Sequence, residues 1–426
     1  MGATGSLHRH YTPKPRVEGG IKRRRVTLTA VIASLVFVGG LLAPPVASVG
    51  ASRHTVASVG ASRNTVMAWG WNLDGPFGTG TSRSVPVAVS GLSGVKAISA
   101  GSDHSLALLK NGTVMAWGQN DRGQLGNGTN TSNTVPVAVS GLSGVKAIAA
   151  GGAGFSLALL KNGMVMAWGA NDSGQLGNGS FTSSNVPVAV SGLSHIRAIA
   201  AGGGYFGMAL RSNGTVWTWG GNDYGQLGNG STTEYSPTPA AIGLSNVTAI
   251  AAGDAHALAL TSGGTVMAWG YNEWGQLGIG TFTGTGPCFY DLVICSPDPV
   301  AVSGLSGVKA IAGGAGFSLA LLQNGMVMAW GANETGYLGI GTNTNSDVPA
   351  TVIGLYRVRA IAACRGEGAH SLALLQDGTV MAWGANAYGE LGNGTYTSST
   401  VPVVVSGLSG VKAISAGSFH SLALSH

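Results

Sequence analysis

Residues 95–140 read VKAISAGSDHSLALLKNGTVMAWGQNDRGQLGNGTNTSNTVPVAVS, and this stretch is one structural unit. It contains four apolar runs, VKAIS, SLALL, TVMAW and PVAVS, each the length of a strand and too short for a helix. Between the second and third lies Asn111-Gly112, a pair that tolerates the positive φ of a two-residue hairpin turn. Four strands joined by short turns predict one antiparallel blade. Val114 and Ala116 point one way and Met115 and Trp117 the other. A strand apolar on both faces is one covered on both faces.

Working outward, the dipeptide Trp-Gly recurs at Trp69, Trp117, Trp168, Trp219, Trp269, Trp330 and Trp383, at intervals of 48, 51, 51, 50, 61 and 53 residues. A period near fifty marks a propeller or a solenoid. The ends favour a closed ring. The repeats start halfway through a unit at Asn64–Gly70 (NTVMAWG) and finish halfway through another at Val411–Leu424. Two strands from each end would share a blade and remove the open edges that invite aggregation. The expected fold is therefore all-β, a seven-bladed β-propeller of four-stranded antiparallel blades over residues 64–426.

Composition agrees. The chain has 426 residues, 72 of them glycine, with 44% apolar and only 9% charged residues. Disorder needs the opposite balance, and the glycines keep no collagen period. The net charge of +6 is misleading until split. Residues 1–25 hold seven basic residues and one acid, which is the whole excess; from residue 26 onward fifteen basic residues balance fifteen acidic ones. A basic pI usually hints at nucleic acid or acidic membranes; here the hint belongs to the N-terminal region, and no nucleic-acid partner is expected of the body.

That N-terminal region reads as an export signal. Lys22-Arg23-Arg24-Arg25 precedes the apolar run Val26–Leu42, and small residues suited to signal peptidase follow at Ala47, Ser48, Gly50 and Ala51. Segments 1–25, 26–51 and 52–63 are thus expected to be a basic region, a signal peptide or uncleaved membrane anchor, and a flexible linker. Membrane contact is expected only through that segment, and the protein is expected to be secreted or surface-tethered.

The repeat V-x-A-I-x-A-G-x-x-H-S-L-A-L…G-T-V-x-A-W-G-x-N-x-x-G-Q-L-G-x-G resembles that of the regulator of chromosome condensation family. Trp is followed by Gly and never by Asp, unlike the tryptophan-aspartate propellers. The resemblance implies a seven-bladed propeller whose eukaryotic founder is a guanine-nucleotide exchange factor on chromatin. Secreted bacterial members are similar in their V-x-A-W-G segments, among them propellers that inhibit serine β-lactamases, which implies protein binding by occlusion.

The candidate chemistry is sparse. Gly123–Gly128 (GQLGNG) lacks the Lys-Ser/Thr of a phosphate-binding loop and reads as a tight turn. His104, His256, His370 and His420 share one repeat position with Phe155, Phe206 and Phe317. A position that accepts Phe is a packing site where an imidazole can add one hydrogen bond. Asp121, Asp172, Asp223, Glu273 and Glu334 are single turn carboxylates, too few per blade for a calcium cage. No metal, cofactor or catalytic residue is expected. Cys288 and Cys295 lie inside the 284–299 insertion and are expected to pair, as suits an exported loop. Cys364 is left over, beside the insertion Arg365-Gly366-Glu367.

With strands alternating up and down, the first-to-second and third-to-fourth connections share one face, and they vary most among the copies. Before the glycine of GQLG come Asp74, Arg122, Ser173, Tyr224, Trp274, Thr335 and Tyr388; beside the His/Phe position come Asp103, Gly154, Tyr205, Ala255, Gly316, Ala369 and Phe419. Tyr, Trp and Arg are favoured anchors of protein interfaces, and loops carry function on rigid scaffolds. The sequence therefore points to a monomeric, non-catalytic scaffold that binds a protein through Asp103, Arg122, Tyr205, Tyr224, Trp274, Tyr388 and Phe419. A carbohydrate or cell-envelope ligand is the alternative, since Tyr and Trp also stack on sugars, and a lyase or hydrolase with its site at the axial mouth is the third.

Overall fold

A computed structural model describes residues 64–71, 81–231, 233–286, 288, 294–366 and 368–426. The expected export and linker segments, Asp74 and Glu367 lie outside these residues. The described chain is a seven-bladed propeller of four-stranded antiparallel sheets without helices. Blade 1 comprises Val95–Ala100, His104–Leu109, Val114–Gly118 and Asn133–Ala138, and five further blades follow in chain order. The seventh is shared: Val411–Ala416 and His420–Ser425 from the C-terminus pair with Thr65–Gly70 and Arg83–Ala88 from the other end. In that seam Thr65 faces Ser425 and Gly70 faces His420.

The first strand of each blade lines the axis. Its fourth residue is always isoleucine, and Ile98, Ile148, Ile199, Ile250, Ile311, Ile361 and Ile414 surround a channel of about 280 Å³. The apolar core lies between blades. Leu106, Leu108 and Val114 of blade 1, for example, pack with Ala150, Ala158 and Trp168 of blade 2, and equivalent clusters recur around the ring. All seven Trp-Gly tryptophans are fully buried. Removing that much apolar surface from water is the main favourable term holding each blade to the next.

One register bond explains the Trp-Gly dipeptide itself. The glycine after each tryptophan has a positive φ, +107° at Gly118, and a Cβ there would fall 2.4 Å from the carbonyl oxygen of Asp103. Only glycine lets the third strand pass the turn of the second so closely.

Candidate functional site

Two hydrogen-bond sets define the two faces of the disc. On one face the third-strand arm meets the first-to-second turn of its own blade: Gln119 N–H donates to Asp103 O at 2.8 Å, Gly221 N–H to Tyr205 O at 2.9 Å and Trp71 N–H to Phe419 O at 2.8 Å. On the other face the Asn-Gly turns meet the connections between blades, as in Lys110 N–H to Gly94 O at 2.8 Å and Lys161 N–H to Gly144 O at 2.9 Å. The arms and the histidine turns therefore share a face, as their strand order requires; it is called the arm face below.

Each arm is built around one asparagine. Asn120 is fully buried; its Oδ1 accepts from Leu125 N–H at 2.8 Å and its Nδ2 donates to Thr129 O and Thr131 O at 2.9 and 3.0 Å. Asn171, Asn222, Asn272, Asn333 and Asn386 repeat the arrangement. The arm then crosses to the next blade. Gln124 O accepts from the Trp168 indole N–H at 2.9 Å and from the Ser156 hydroxyl at 3.0 Å, and a Cβ on Gly126 would lie 2.7 Å from the Trp168 ring. The GQLG segment is a latch, not a phosphate cradle.

The histidines complete that latch. His104 Nε2 lies 2.9 Å from Ser156 Oγ, His256 2.8 Å from Ser318, His370 2.7 Å from Ser421 and His420 2.9 Å from Ser105. Because Ser156 and Ser318 give their own protons to Gln124 O and Gln276 O, those imidazoles donate from Nε2. The Nδ1 atoms of His104 and His256 have no hydrogen-bond partner, so neither belongs to an acid–imidazole–serine relay. Burial lowers the pKa to about 4 for His104 and His370 and to about 3 for His256 and His420. They are neutral packing groups. Among the described residues no three His, Cys, Asp or Glu side chains are grouped to hold a metal ion.

The variable arm-face residues fall into three groups. Asp103, Arg122 and Tyr205 line one pocket of about 170 Å³ with Asp121 and Asp172. There Arg122 Nη1 bonds Asp172 Oδ2 at 2.8 Å between blades, and Tyr205 is held at φ +62° and is 46% exposed. Tyr388 and Phe419 form a second group with Trp71, ring centroids 4.4–5.5 Å apart. Tyr224 and Trp274 form a third, each packed against Tyr271 with ring centroids 4.9 and 5.3 Å away, while the Tyr271 hydroxyl donates to Glu273. Tyr224 and Trp274 are half-buried, each packed against the Tyr271 ring. Trp71 and Tyr271 were not singled out from the sequence. Both follow Trp-Gly directly, where the other copies carry Gln119, Ala170, Gly221, Ala332 and Ala385, and that contrast was the available signal.

Two irregular features lie near this face. Cys288 and Cys295 form a disulfide with Cα atoms 6.3 Å apart. In blade 6 the extra residues bring Arg365 to the axial mouth, where its Nη1 donates to Ala150 O and Ala201 O at 3.1 and 2.6 Å. Neighbouring Cys364 is buried, its thiol pushed up to about 12 by desolvation, and a thiol that holds its proton so tightly is a poor nucleophile.

Comparison with known proteins matches this geometry. The RCC1-like domain profile matches residues 185–426, and the regulator of chromosome condensation (RCC1) repeat matches 64–108, 111–159, 95–124 and 145–175. The chain belongs to the RCC1 repeat family. It is 35% identical over 371 residues to human E3 ubiquitin-protein ligase HERC2, covering 84% of this chain but 8% of the ligase. It is 31% identical over 351 residues to the ultraviolet-B receptor UVR8 of Arabidopsis thaliana, covering 80% of this chain and 78% of the receptor. Among solved structures, yeast RCC1 (Prp20), in a complex with Kap60, superposes with TM-score 0.74 at 23% identity, covering 92% of this chain and 96% of that one. Human WBSCR16 gives 0.73 at 24% identity, covering 85% and 98%. These two likenesses concern the fold alone.

Proposed function

We propose that this RCC1-family propeller is an exported, non-catalytic scaffold that holds a protein partner on its arm face and blocks that partner's surface by occlusion. The observation that carries the reading is the grouping of aromatic rings on one face of a rigid ring: Trp71–Tyr388–Phe419 and Tyr224–Tyr271–Trp274, with Tyr205 beside the Arg122–Asp172 pair. Rigid aromatic rings give large contact area at little entropic cost, which is what interface anchors need. Related propellers are consistent with it, since solved structures show yeast Prp20 bound to Kap60 and describe its binding to Gsp1p and histones. Export rests on the basic and apolar residues 22–42. The repetition of the His–Ser pair at four buried interfaces supports the non-catalytic reading, because a catalytic centre is one accessible place.

A crosslinking pull-down from the source organism, comparing the wild type with Tyr224→Ala/Trp274→Ala and with Tyr388→Ala/Phe419→Ala, tests the face. Loss of one captured protein at least tenfold in either double variant is expected. Unchanged capture by both would remove the arm face as the contact. Mass spectrometry of the mature N-terminus tests export: a terminus between residues 45 and 63 is expected.

A further inference from the structure

The balanced charge of the folded body conceals a strong separation between its two faces. The second residue of each first strand is exposed in every blade, and in six of the seven it is basic: Lys96, Lys146, Arg197, Lys309, Arg359 and Lys412, with Thr248 the exception. An equivalent position in every blade of a ring lies in one plane, so these six cations encircle the axial channel at the face opposite the arms. Several lean around the ring towards the next blade: Arg197 Nη2 donates to Val247 O at 2.6 Å, Lys309 Nζ to Val358 O at 3.4 Å and Arg359 Nη2 to Val411 O, while Lys412 Nζ donates to Asn64 Oδ1 at 3.2 Å within the shared blade. The turns of that face add Lys110, Lys161, Arg211 and Arg357. Among the described residues the one acid at those turns is Asp377. The carboxylates sit elsewhere, with Asp103, Asp121, Asp172, Asp223, Glu273 and Glu334 in the arm-face turns.

Large apolar side chains are exposed among these cations. Met164 and Met326 follow the Asn-Gly turns and are 43% and 38% exposed, and Ile353 and Tyr356 in one connection between blades are 44% and 68% exposed. A flat array of cations that repels its own members stores unfavourable energy, which an anionic surface relieves. Interspersed Met, Ile and Tyr suit the boundary between lipid headgroups and acyl chains and have no counterpart need in a phosphate backbone. The polypeptide bearing the apolar run Val26–Leu42 joins the propeller at Asn64, on this same face beside Lys412.

We infer that the basic face of the propeller docks flat on an anionic lipid bilayer, with the six-cation ring against the headgroups and the arm face turned to solvent. The assignment is independent of what the arm face binds. Each basic residue near such a surface contributes about 1 kcal/mol, about fivefold in affinity, so three neutralisations weaken docking on the order of a hundredfold.

Hydrogen exchange of the full chain on phosphatidylcholine vesicles, with and without phosphatidylglycerol, tests this even if residues 26–42 insert by themselves. Protection of 162–164 and 353–357 is expected on the anionic vesicles alone. It should vanish at high salt and in Lys96→Gln/Lys146→Gln/Lys412→Gln, while exchange in the Trp168 strand stays unchanged. Should the triple variant fail to fold, Lys110→Gln/Lys161→Gln on the exposed turns must show a weaker but measurable loss. Equal protection on neutral vesicles, protection of the loops around Tyr388 instead, or stronger protection of the same turns by duplex DNA without vesicles would each overturn the assignment.

Discussion

Four blade interfaces carry histidine where three carry phenylalanine, and the two kinds are built differently around the same wall. Each histidine meets a serine on the next blade: Ser156, Ser318, Ser421 and Ser105. At the equivalent place Phe155 is followed by Gly207, Phe206 by Ala257 and Phe317 by Ser371. The tryptophan latch is common to both kinds, with Trp168 and Trp330 at histidine interfaces and Trp219 and Trp269 at phenylalanine ones, all at 2.9–3.0 Å from an arm carbonyl. The difference teaches that the latch and apolar packing define the ring, whereas imidazole is admitted only where the next blade supplies a hydroxyl to pair with its Nε2. A buried donor without an acceptor costs more than the bond contributes.

Acid should separate the two kinds most sharply. In the unfolded chain each histidine takes its proton near pH 6.5; in the fold it does so only near 3 to 4. Between those values the unfolded chain binds protons that the folded chain does not, so stability is full above pH 6.5 and falls as pH drops towards 4. A shift of that size corresponds to about 3–5 kcal/mol for each histidine. Four of them rival the whole stability of an ordinary domain, about 5–15 kcal/mol. Calorimetry across this window should show Tm falling steeply, with unfolding before pH 4. A flat Tm from pH 7 to 4 would contradict the neutral, buried imidazoles.

The latch predicts no such contrast. Trp330→Ala at a histidine interface and Trp219→Ala at a phenylalanine one should each cost about 3–5 kcal/mol, measured by urea unfolding. A much smaller loss at one of them would show that the latch is not shared. The smallest expected effect is also the most specific. Ser318→Ala strands the His256 donor and should cost about 1–3 kcal/mol. Adding His256→Phe recreates the Phe206–Ala257 arrangement and should return most of the loss. A double variant no more stable than the single would break the proposed coupling.

Much of this architecture was legible. The Trp-Gly period, the Asn-Gly turns and the two half-units at 64–70 and 411–424 specify a closed seven-bladed ring, because each turn residue carries a backbone requirement that few alternatives meet. The site was partly legible. Tyr224, Trp274, Tyr388 and Phe419 stood out as variable aromatics, but reading one repeat column at a time missed Trp71 and Tyr271, which neighbour them only after folding. The His–Ser coupling was hidden for the same reason: its partners belong to successive repeats and adjoining columns. The charge separation escaped because a sum over residues takes no account of which turn each occupies; sorting Lys96, Lys146 and their equivalents by strand position would have shown it.

The shared seventh blade has a consequence for the birth of the molecule. Thr65–Gly70 and Arg83–Ala88 leave the ribosome among the first strands of the propeller, yet the neighbour that Thr65–Gly70 needs, His420–Ser425, is made only after the six intervening blades. At about 5–20 residues per second, the early hairpin waits tens of seconds with one edge uncovered. A chain released before His420–Ser425 is made can never cover it, so the circle closes only once that strand has been made.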